Sequence, residues 1–547
     1  MKKNEILFNR SLKKFYKEYK DFNDCVDKKG DSYNHVTHTD LDGASCAIVS
    51  SRQFCDDNEY CWYTSKMAPR LYEDITGLIY DFIDMNVIDI YNMDKLKTST
   101  NKKTYWMLIT DFGSITVDEL YNCVRAATES IANSFAEEID VHDVRKQFDI
   151  HFIVVDHHQS KYFGMNTEEI TSSAEYEETH NNEPHFTVNH GDGVTLVHAD
   201  KDVDGGLMNV EMYLSTKYSA AKLLYNISVE TQTFGTATPA TDEYFDMVST
   251  YDTGNMGEFV FDREFVANTA REEWIAQIKK DVSPQMILNA SLYQFIDEAH
   301  EYRSYEYAIT DGINKYIHMI TNIFGSNHYF VDAYIPKHDT YYCDHCKKTI
   351  NPKPIYDLAL DINIATCPHC GATSLKTIYY DKYDSMPNST KHVWKVMAKY
   401  AIKRLNKMIT AYEHFVIMYE DLDITGTEPV VYINCGSTRY GIKVPEGKKY
   451  KALVRWYSDA PDEAVSINVF AKKYMEYKNS KSQHYDLSIT IYSDSTGKIK
   501  KCSLTQNPVD GADCYEIAAL NGGGGHVGAA GFTITDISKV EVVDEKE

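Results

Sequence analysis

The sequence predicts an α/β protein with a mostly parallel sheet, followed by a smaller α/β domain near its end. From about residue 35, short apolar runs alternate with helical segments, which is the pattern of βαβ units. Two of these runs, Met107–Ile109 and Phe152–Val155, are followed closely by an aspartate. Because ligands bind beyond the carboxyl ends of parallel strands, these aspartates are candidate site residues.

Helices are expected in several other segments. From Ile6 to Phe22, apolar residues recur every three or four positions, which indicates an amphipathic helix. We expect further helices over 117–133, 215–226 and about 285–325, and one long amphipathic helix over 390–420 that bridges the segments around it. Residues 164–192 are polar and acidic and are interpreted as a surface excursion. After Pro429 the runs VVYIN and LSITIYS are typical of strands.

Length and charge limit the kinds of protein that fit. A chain of 547 residues is too long for one ordinary core, so two large domains and a small third one are expected. The net charge of −25 disfavours a protein that grips long nucleic acid through a basic surface, and favours a small substrate held by metals. Neither a secretory signal nor a run of about 18 apolar residues is present, so we expect a cytoplasmic protein without a membrane span. Its 12 cysteines are then expected to be reduced thiols or metal ligands rather than disulfides.

Four short segments carry acidic and histidine residues near predicted strand ends. The first is His38-Thr-Asp40-Leu-Asp42-Gly, in which an extended chain would turn alternate side chains to one side. The other candidates lie in three later segments: Asp111, the run Asp156-His157-His158, and Asp252. So many carboxylates can share one pocket only if cations neutralise them. Mixed carboxylate and imidazole ligands favour two Mn²⁺ ions, with Mg²⁺ as the alternative.

These segments resemble the four motifs of the DHH phosphoesterases, a family that includes RecJ-like exonucleases, nanoRNases and cyclic-dinucleotide phosphodiesterases. The segments are HTDLDG, the strand-end Asp111, VVDHH and the segment around Asp252, and the C-terminal GGGGHVGAAGF resembles the signature of the accompanying substrate-binding domain. The resemblance implies a parallel-sheet catalytic domain over 1–332 and a smaller substrate-binding domain over 428–547. It leaves 385–427 as a helical linker.

The resemblance also implies a role for each residue. His38 and Asp40 would hold one metal and Asp42, His157 and Asp252 the other, with Asp111 between the two. Asp246 competes with Asp252 for the last position. Asp156 would orient its neighbours, and His158 would contact the scissile phosphate.

The glycine-rich end is expected to bind substrate. Glycines allow the backbone to approach a phosphate and present its N–H groups. The resemblance assigns Gly523, Gly524, Gly525 and His526 to the substrate phosphate. Where family members often carry an arginine–serine pair, this sequence has Tyr492-Ser493, and Arg439 is the candidate replacement for that contact.

Two CxxC pairs lie in the segment 333–384. Cys343, Cys346, Cys367 and Cys370 have the spacing of a zinc ribbon with one tetrahedral, structural Zn²⁺. A ribbon inserted between the two domains would stabilise the hinge, contact nucleic acid or bind a protein partner, and the sequence does not separate these roles.

Together these features predict a metal-dependent hydrolase, a nuclease or phosphodiesterase that converts short oligonucleotides to nucleoside 5′-monophosphates. A cyclic-dinucleotide phosphodiesterase, a RecJ-like single-strand exonuclease and a non-catalytic DHH scaffold acting through its ribbon are the alternatives. The expected partners are therefore a short oligonucleotide or a linear or cyclic dinucleotide, and the sequence leaves open whether the chain forms homo-oligomers.

Overall fold

The structure is a computed structural model, in which part of the chain is described. The described residues are 3–27, 32–54, 61–64, 70–87, 102–113, 115–134, 140–165, 186–203, 206–253, 284–301, 304–322, 324, 341–343, 348–350, 375–377, 396–397, 416–426, 430–435, 438–458, 485–493, 499–506, 511–525 and 527–534.

The first part of the chain alternates strands with helices before it ends in helices. Its elements in chain order are α1 Lys3–Asp27, β1 Ser32–Thr37, α2 Leu41–Phe54, β2 Cys61–Tyr63, α3 Arg70–Val87, β3 Lys103–Thr110, α4 Val117–Ser134, α5 Val141–Arg145, β4 Phe148–Asp156, β5 Phe186–Gly191, β6 Val194–Val203, β7 Gly206–Ser215, α6 Ala220–Glu230, α7 Pro239–Asp252, α8 Pro284–His300 and α9 Tyr305–Thr321.

The large sheet has the strand order β2-β1-β3-β4-β7-β6-β5. The five strands β2, β1, β3, β4 and β7 pair in parallel. The last two strands of the sheet are antiparallel, since β6 pairs antiparallel with β7 and β5 pairs antiparallel with β6. The predicted mostly parallel sheet is therefore confirmed. In its register Thr37 pairs with Thr110, and Thr110 pairs with Val155. The residues that follow these three positions consequently emerge at one edge of the sheet.

Apolar side chains cover both faces of this sheet. Along β3, Leu108 belongs to one core cluster, whereas Met107 and Ile109 belong to another. This alternation follows from the period of two along a strand, and it explains why the strand is a continuous apolar run. Helix α1 packs on the first cluster through the buried residues Phe15 and Phe22, which confirms the amphipathic helix predicted there.

Two predicted boundaries in this part of the chain are wrong. The helix expected over 215–226 begins only at Ala220, because β7 continues to Ser215 and the Ser219 side chain caps the helix by accepting from the N–H of Lys222. The polar segment 164–192 includes strand β5, whose Phe186 is buried. Residues 166–185 of that segment lie outside the described residues.

The second part of the chain forms separate, smaller sheets. Its elements are β8 Tyr341–Cys343, β9 Lys348–Ile350, β10 Leu375–Thr377, β11 Val416–Thr425, β12 Val430–Cys435, β13 Thr438–Lys443, β14 Lys449–Ser458, β15 Leu487–Ser493, β16 Ile499–Gln506, α10 Cys514–Leu520, β17 Gly524–Gly525 and β18 Ala529–Phe532. The six-stranded sheet has the order β11-β14-β15-β16-β18-β17, and β12 and β13 form a two-stranded sheet. Both contribute to a third core cluster, as expected for a smaller α/β domain.

The prediction of one helix over 390–420 is wrong at its C-terminal end. Val416–Thr425 is strand β11, which pairs antiparallel with β14 along its whole length. The predicted linker 385–427 therefore includes part of the C-terminal sheet. Of the rest of the predicted helix, only residues 396–397 are described; they are helical, and Met397 lies buried in the first core cluster of the parallel-sheet part.

Candidate metal centre

The turn from β1 into α2 carries three of the predicted ligands. His38 and Asp40 follow the strand, and the His38 Nδ1 lies 2.7 Å from the Asp40 Oδ2. The other Asp40 oxygen accepts from the N–H of Gly43 at 3.0 Å and thereby caps α2. A Cβ at Gly43 would lie 2.2 Å from the His38 carbonyl oxygen, so only glycine allows this tight turn.

Asp42 lies in the first turn of α2 and is fully buried. The extended alternation predicted for this segment is therefore wrong, since the chain is already helical at Leu41. The tight turn still brings Asp42 to the same edge as its neighbours. Both carboxylate oxygens accept from the start of α6: the Ala220 N–H lies 2.8 Å from Oδ2, and the Ala221 N–H lies 3.2 Å from Oδ1.

Asp111 follows β3 and is also buried. Its φ of 65° is left-handed, which is uncommon for a residue other than glycine. The Asp111 N–H donates to the Val155 carbonyl at 3.2 Å, which continues the β3–β4 pairing to this point. The Oδ2 atom is buried without a hydrogen-bond partner in the described part of the chain.

The Asp156-His157-His158 run ends β4 and is buried. The His157 Nε2 faces three carboxylates, at 2.8 Å from Asp252, 3.2 Å from Asp111 and 3.6 Å from Asp42. The His158 Nδ1 lies 2.8 Å from the Asp156 Oδ1, so Asp156 fixes the orientation of this ring.

The structure distinguishes Asp252 from its competitor Asp246. Asp252 is the last residue of α7 and contacts His157. Asp246 has a side chain that is 66% exposed and forms an ion pair with Lys222 at 2.8 Å. Asp246 therefore lies on the surface, and Asp252 is the residue that joins the cluster.

The pKa directions show how strongly these charges interact. Burial, and then the neighbouring Asp40 and Asp42, raise the pKa of Asp111 well above its usual range. Burial and Asp252 likewise raise the pKa of Asp42. Burial alone would lower the pKa of His157, but the surrounding carboxylates raise it to about 10. The centre therefore has an excess of negative charge, and a positive charge at its middle is stabilised.

The ligand atoms form two groups that share one residue. In the first group, His38, Asp40 and Asp111 offer atoms within 4.8 Å of one another; in the second, Asp42, Asp111, His157 and Asp252 do so. A further combination joins Asp111, His157 and His158. The structure thus brings together all six predicted ligands and gives Asp111 the central position.

This donor set fits divalent cations. The buried Oδ2 of Asp111 has no hydrogen-bond partner among the described residues, and Asp111 interacts with Asp42, whose pKa is also raised. His157 offsets only part of this negative charge, so bound cations would lower the cost of burying it. Carboxylate oxygens with imidazole nitrogens suit Mn²⁺, and thiolates, which would favour zinc, are absent from the two groups.

Two supporting features were not foreseen from the sequence. One is the start of α6, whose N–H groups stabilise the Asp42 carboxylate as a helix N-terminus does for anions. Ser219 before an apolar helical run is the sequence signal for that start. The other is buried His35, which joins Ser50 at 2.9 Å and Thr110 at 2.8 Å beneath the turn. Burial lowers its pKa to about 3, so His35 is neutral and structural.

The glycine-rich loop is described except for His526, which lies outside the described residues. The Gly523 N–H donates to the Ala518 carbonyl at 2.8 Å, and a Cβ there would lie 2.2 Å from the Gly531 oxygen. The Gly523 backbone therefore supports the end of α10, and its contact with a phosphate stays a prediction. Gly525 has a φ of 136° and packs on Ala530. A Cβ would meet no atom within 4 Å at Gly522 or at Gly524. Gly522 has a φ of 74°, which favours glycine, whereas the backbone conformation of Gly524 does not require it.

The other predicted residues lie in the second part of the chain. Arg439 is exposed on β13. Cys343 ends β8, and β8 lies between β10 and β9 in a small antiparallel sheet. Cys346, Cys367 and Cys370 lie outside the described residues, as does the side chain of Cys343.

Comparison with solved structures finds chains of low similarity. RecJ from Thermus thermophilus in complex with Mn²⁺ is 10% identical with a TM-score of 0.33, over 95% of this chain and 52% of that one, so this chain spans about half its length. An exonuclease RecJ bound to manganese is 11% identical with a TM-score of 0.29, over 95% and 90% of the two chains. CDC45 from Entamoeba histolytica is 8% identical with a TM-score of 0.30, over 91% and 88%. No family model and no curated protein matches the sequence.

The DHH resemblance is carried by features of this chain, which are the order of the motifs, the parallel sheet and the two ligand groups at the sheet edge. Among the described residues, no helix is long and apolar enough to cross a membrane.

Replacing Asp111 with Asn tests whether its carboxylate serves metal. We expect the affinity for Mn²⁺ to fall at both metal positions. The loss should exceed the roughly 10–100-fold that follows when a residue hydrogen-bonded to a metal ligand is removed. Without metal, the variant should be at least as stable as the wild type, because a neutral amide removes repulsion from the neighbouring carboxylates. Calorimetric Mn²⁺ titration and thermal unfolding in chelator measure these effects.

The matched control is Asp246→Asn on the exposed side of α7, which should bind Mn²⁺ as the wild type does. Unchanged Mn²⁺ stoichiometry and affinity in Asp111→Asn would contradict the shared position of Asp111.

Proposed function

We propose that the protein is a metal-dependent phosphodiesterase that hydrolyses short oligonucleotides to nucleoside 5′-monophosphates. The observation that carries this proposal is the pair of ligand groups that share Asp111. Two divalent cations, when bound, would activate water and stabilise the leaving oxygen of a phosphoryl transfer. His38, Asp40 and Asp111 would hold one, and Asp42, Asp111, His157 and Asp252 the other.

The remaining residues of the centre position the substrate. Asp156 accepts from His158 at Nδ1 and so holds the ring at the edge of the cluster. The pKa of Asp156 is lowered, since contact with His158 outweighs the effect of burial. Held in this orientation, the His158 ring would contact a phosphate oxygen of the substrate. His526 and the glycine loop would contact the phosphate from the second domain, as the resemblance implies.

The net charge of the chain and the assembled ligand residues favour some candidate functions over others. The net charge of −25 supports a short substrate over a long strand. A cyclic dinucleotide uses the same phosphodiester chemistry and is the second candidate. A non-catalytic scaffold is disfavoured because all six ligand residues are present and assembled.

The test is a product assay with Mn²⁺ on linear dinucleotides, longer RNA and DNA, and cyclic dinucleotides. We expect linear dinucleotides and short single-stranded oligonucleotides to give nucleoside 5′-monophosphates with a higher kcat/KM than cyclic dinucleotides, and exhaustive chelation to abolish the reaction. Faster turnover of cyclic dinucleotides would select the second candidate. Undiminished hydrolysis after chelation, or no hydrolysis of any phosphodiester with both metals bound, would overturn the proposal.

Replacing Gly524 tests the role of the glycine loop without destabilising the fold. Because a Cβ at Gly524 meets no atom within 4 Å, Gly524→Ala should keep the thermal midpoint of the wild type. A methyl group in the loop would still obstruct a phosphate, so we expect KM for a dinucleotide to rise about tenfold, equivalent to about 1.4 kcal/mol.

Gly523→Ala is the matched structural contrast. Its Cβ would collide with the Gly531 carbonyl, so we expect a loss of about 1–3 kcal/mol in stability. Wild-type KM in Gly524→Ala would remove this glycine from the substrate site.

The four cysteines Cys343, Cys346, Cys367 and Cys370 are proposed to hold one structural zinc. The strand order β10-β8-β9 supports a compact ribbon, since it joins strands from both sides of the cysteine pairs. Replacing Cys367 and Cys370 with Ser should remove one zinc per chain and leave dinucleotide turnover intact, because a closed four-thiolate site has no open position for chemistry. Metal analysis alongside turnover decides; collapse of turnover with the catalytic metals retained would place the ribbon in the active site.

A further inference from the structure

The hairpin of β12 and β13 has two unlike faces. One face lies in the C-terminal core through its buried residues, Ile433, Cys435, Tyr440 and Ile442. The other face is exposed and carries Tyr432, Asn434, Arg439 and Lys443. We call these four exposed residues the hairpin face.

Tyr432 and Arg439 form a stacked pair on the hairpin face. The guanidinium carbon of Arg439 lies 4.1 Å from the centroid of the Tyr432 ring, and Tyr432 is 43% exposed. In the register of the hairpin Tyr432 is opposite Gly441, and Arg439 is its diagonal neighbour. Because Gly441 has no side chain, the partner strand does not crowd the ring directly opposite it. The result is an aromatic and guanidinium surface of the kind on which nucleic-acid bases stack.

The charge around this pair is opposite to that of the whole chain. Residues 430–451 contain five cationic residues, Arg439, Lys443, Lys448, Lys449 and Lys451, and one anionic residue, Glu446, within a chain of net charge −25. All six side chains are exposed. The two cationic residues on the hairpin face itself, Arg439 and Lys443, are complementary to a phosphate backbone. Lys451 lies instead beside Asp486, whose carboxylate accepts from its backbone N–H.

Hydrogen bonds join the hairpin face to the glycine loop. The side chain of Asn521, directly before Gly522, accepts from the Lys443 N–H at 2.9 Å and donates to the Lys443 carbonyl at 2.8 Å. It also donates to the Ile517 carbonyl at 2.7 Å. Asn521 therefore connects the end of β13 to the end of α10, where the loop begins. The end of the hairpin is therefore fixed beside the start of the glycine loop.

We propose that the hairpin face binds the single-stranded nucleic acid next to the nucleotide that is cleaved. Tyr432 and Arg439 stack a base, and Arg439 and Lys443 neutralise backbone phosphates. This inference rests on the proposed function and extends it, because it lets an acidic enzyme hold substrates longer than a dinucleotide. The occupant is a short single strand of RNA or DNA.

Binding measured without catalysis separates this inference from the proposed function. The probe is a fluorescein-labelled oligouridylate of about eight nucleotides, a length within the range that such surfaces bind. Fluorescence anisotropy with the full chain in chelator gives Kd with no hydrolysis. We expect Tyr432→Ala to raise Kd about 5- to 150-fold, as for the loss of one stacked base, and Tyr432→Phe to keep it within about twofold of the wild type. The matched control Tyr307→Ala removes another exposed tyrosine, on α9, and should leave Kd unchanged.

The salt dependence tests the phosphate contacts. Arg439→Ala and Lys443→Ala should each lower the slope of log K against log salt by about 0.7, the value for one phosphate of a single strand. The control Arg125→Ala, at an exposed position of α4, should leave the slope unchanged. Wild-type Kd in Tyr432→Ala, or equal weakening in Tyr432→Phe and Tyr307→Ala, would overturn the inference even if the enzyme cleaves dinucleotides. Weakened binding in Tyr432→Ala, with no phosphodiesterase activity in the wild type, would instead overturn the proposed function and keep the strand-binding face.

Discussion

The negative charge buried around Asp111 is the constraint on which the candidate site depends. Its carboxylate lies among Asp40, Asp42 and Asp252, and one of its oxygens has no hydrogen-bond partner among the described residues. Buried carboxylates of this kind are stable only when protonated, paired or bound to cations. In the structure His157 supplies part of the compensating charge. The arrangement is consistent with a centre that is completed by divalent ions.

The fold supports this charge with backbone groups as well as side chains. The parallel register places the ends of β1, β3 and β4 side by side, so three segments distant in sequence deliver their residues to one edge. The start of α6 directs two N–H groups at Asp42, and the left-handed backbone at Asp111 marks the point where its strand ends. A strained residue held by hydrogen bonding is common where geometry serves a site.

Much of this arrangement could be predicted from the sequence. Strand-end aspartates such as Asp111 and Asp156 were predictable because apolar runs followed by acidic residues are typical of parallel strands at a ligand edge. Asp42 was correctly expected near Asp40, but from an extended chain, whereas the structure brings it there through the first turn of a helix. The sequence did not separate Asp252 from Asp246, because both lie on one helix and only the packing of α7 shows which one faces His157. Strand β11 was mistaken for the end of a helix because apolar residues near 414–420 fit either period.

The measurement that tests the account most directly is the anomalous diffraction of crystals grown with Mn²⁺. The account predicts two manganese peaks roughly 3.5–4 Å apart, as in two-metal hydrolases. One should lie against His38 and Asp40, the other against Asp42, His157 and Asp252, and the Asp111 carboxylate should contact both. A single peak, or two peaks that Asp111 does not join, would contradict the shared centre.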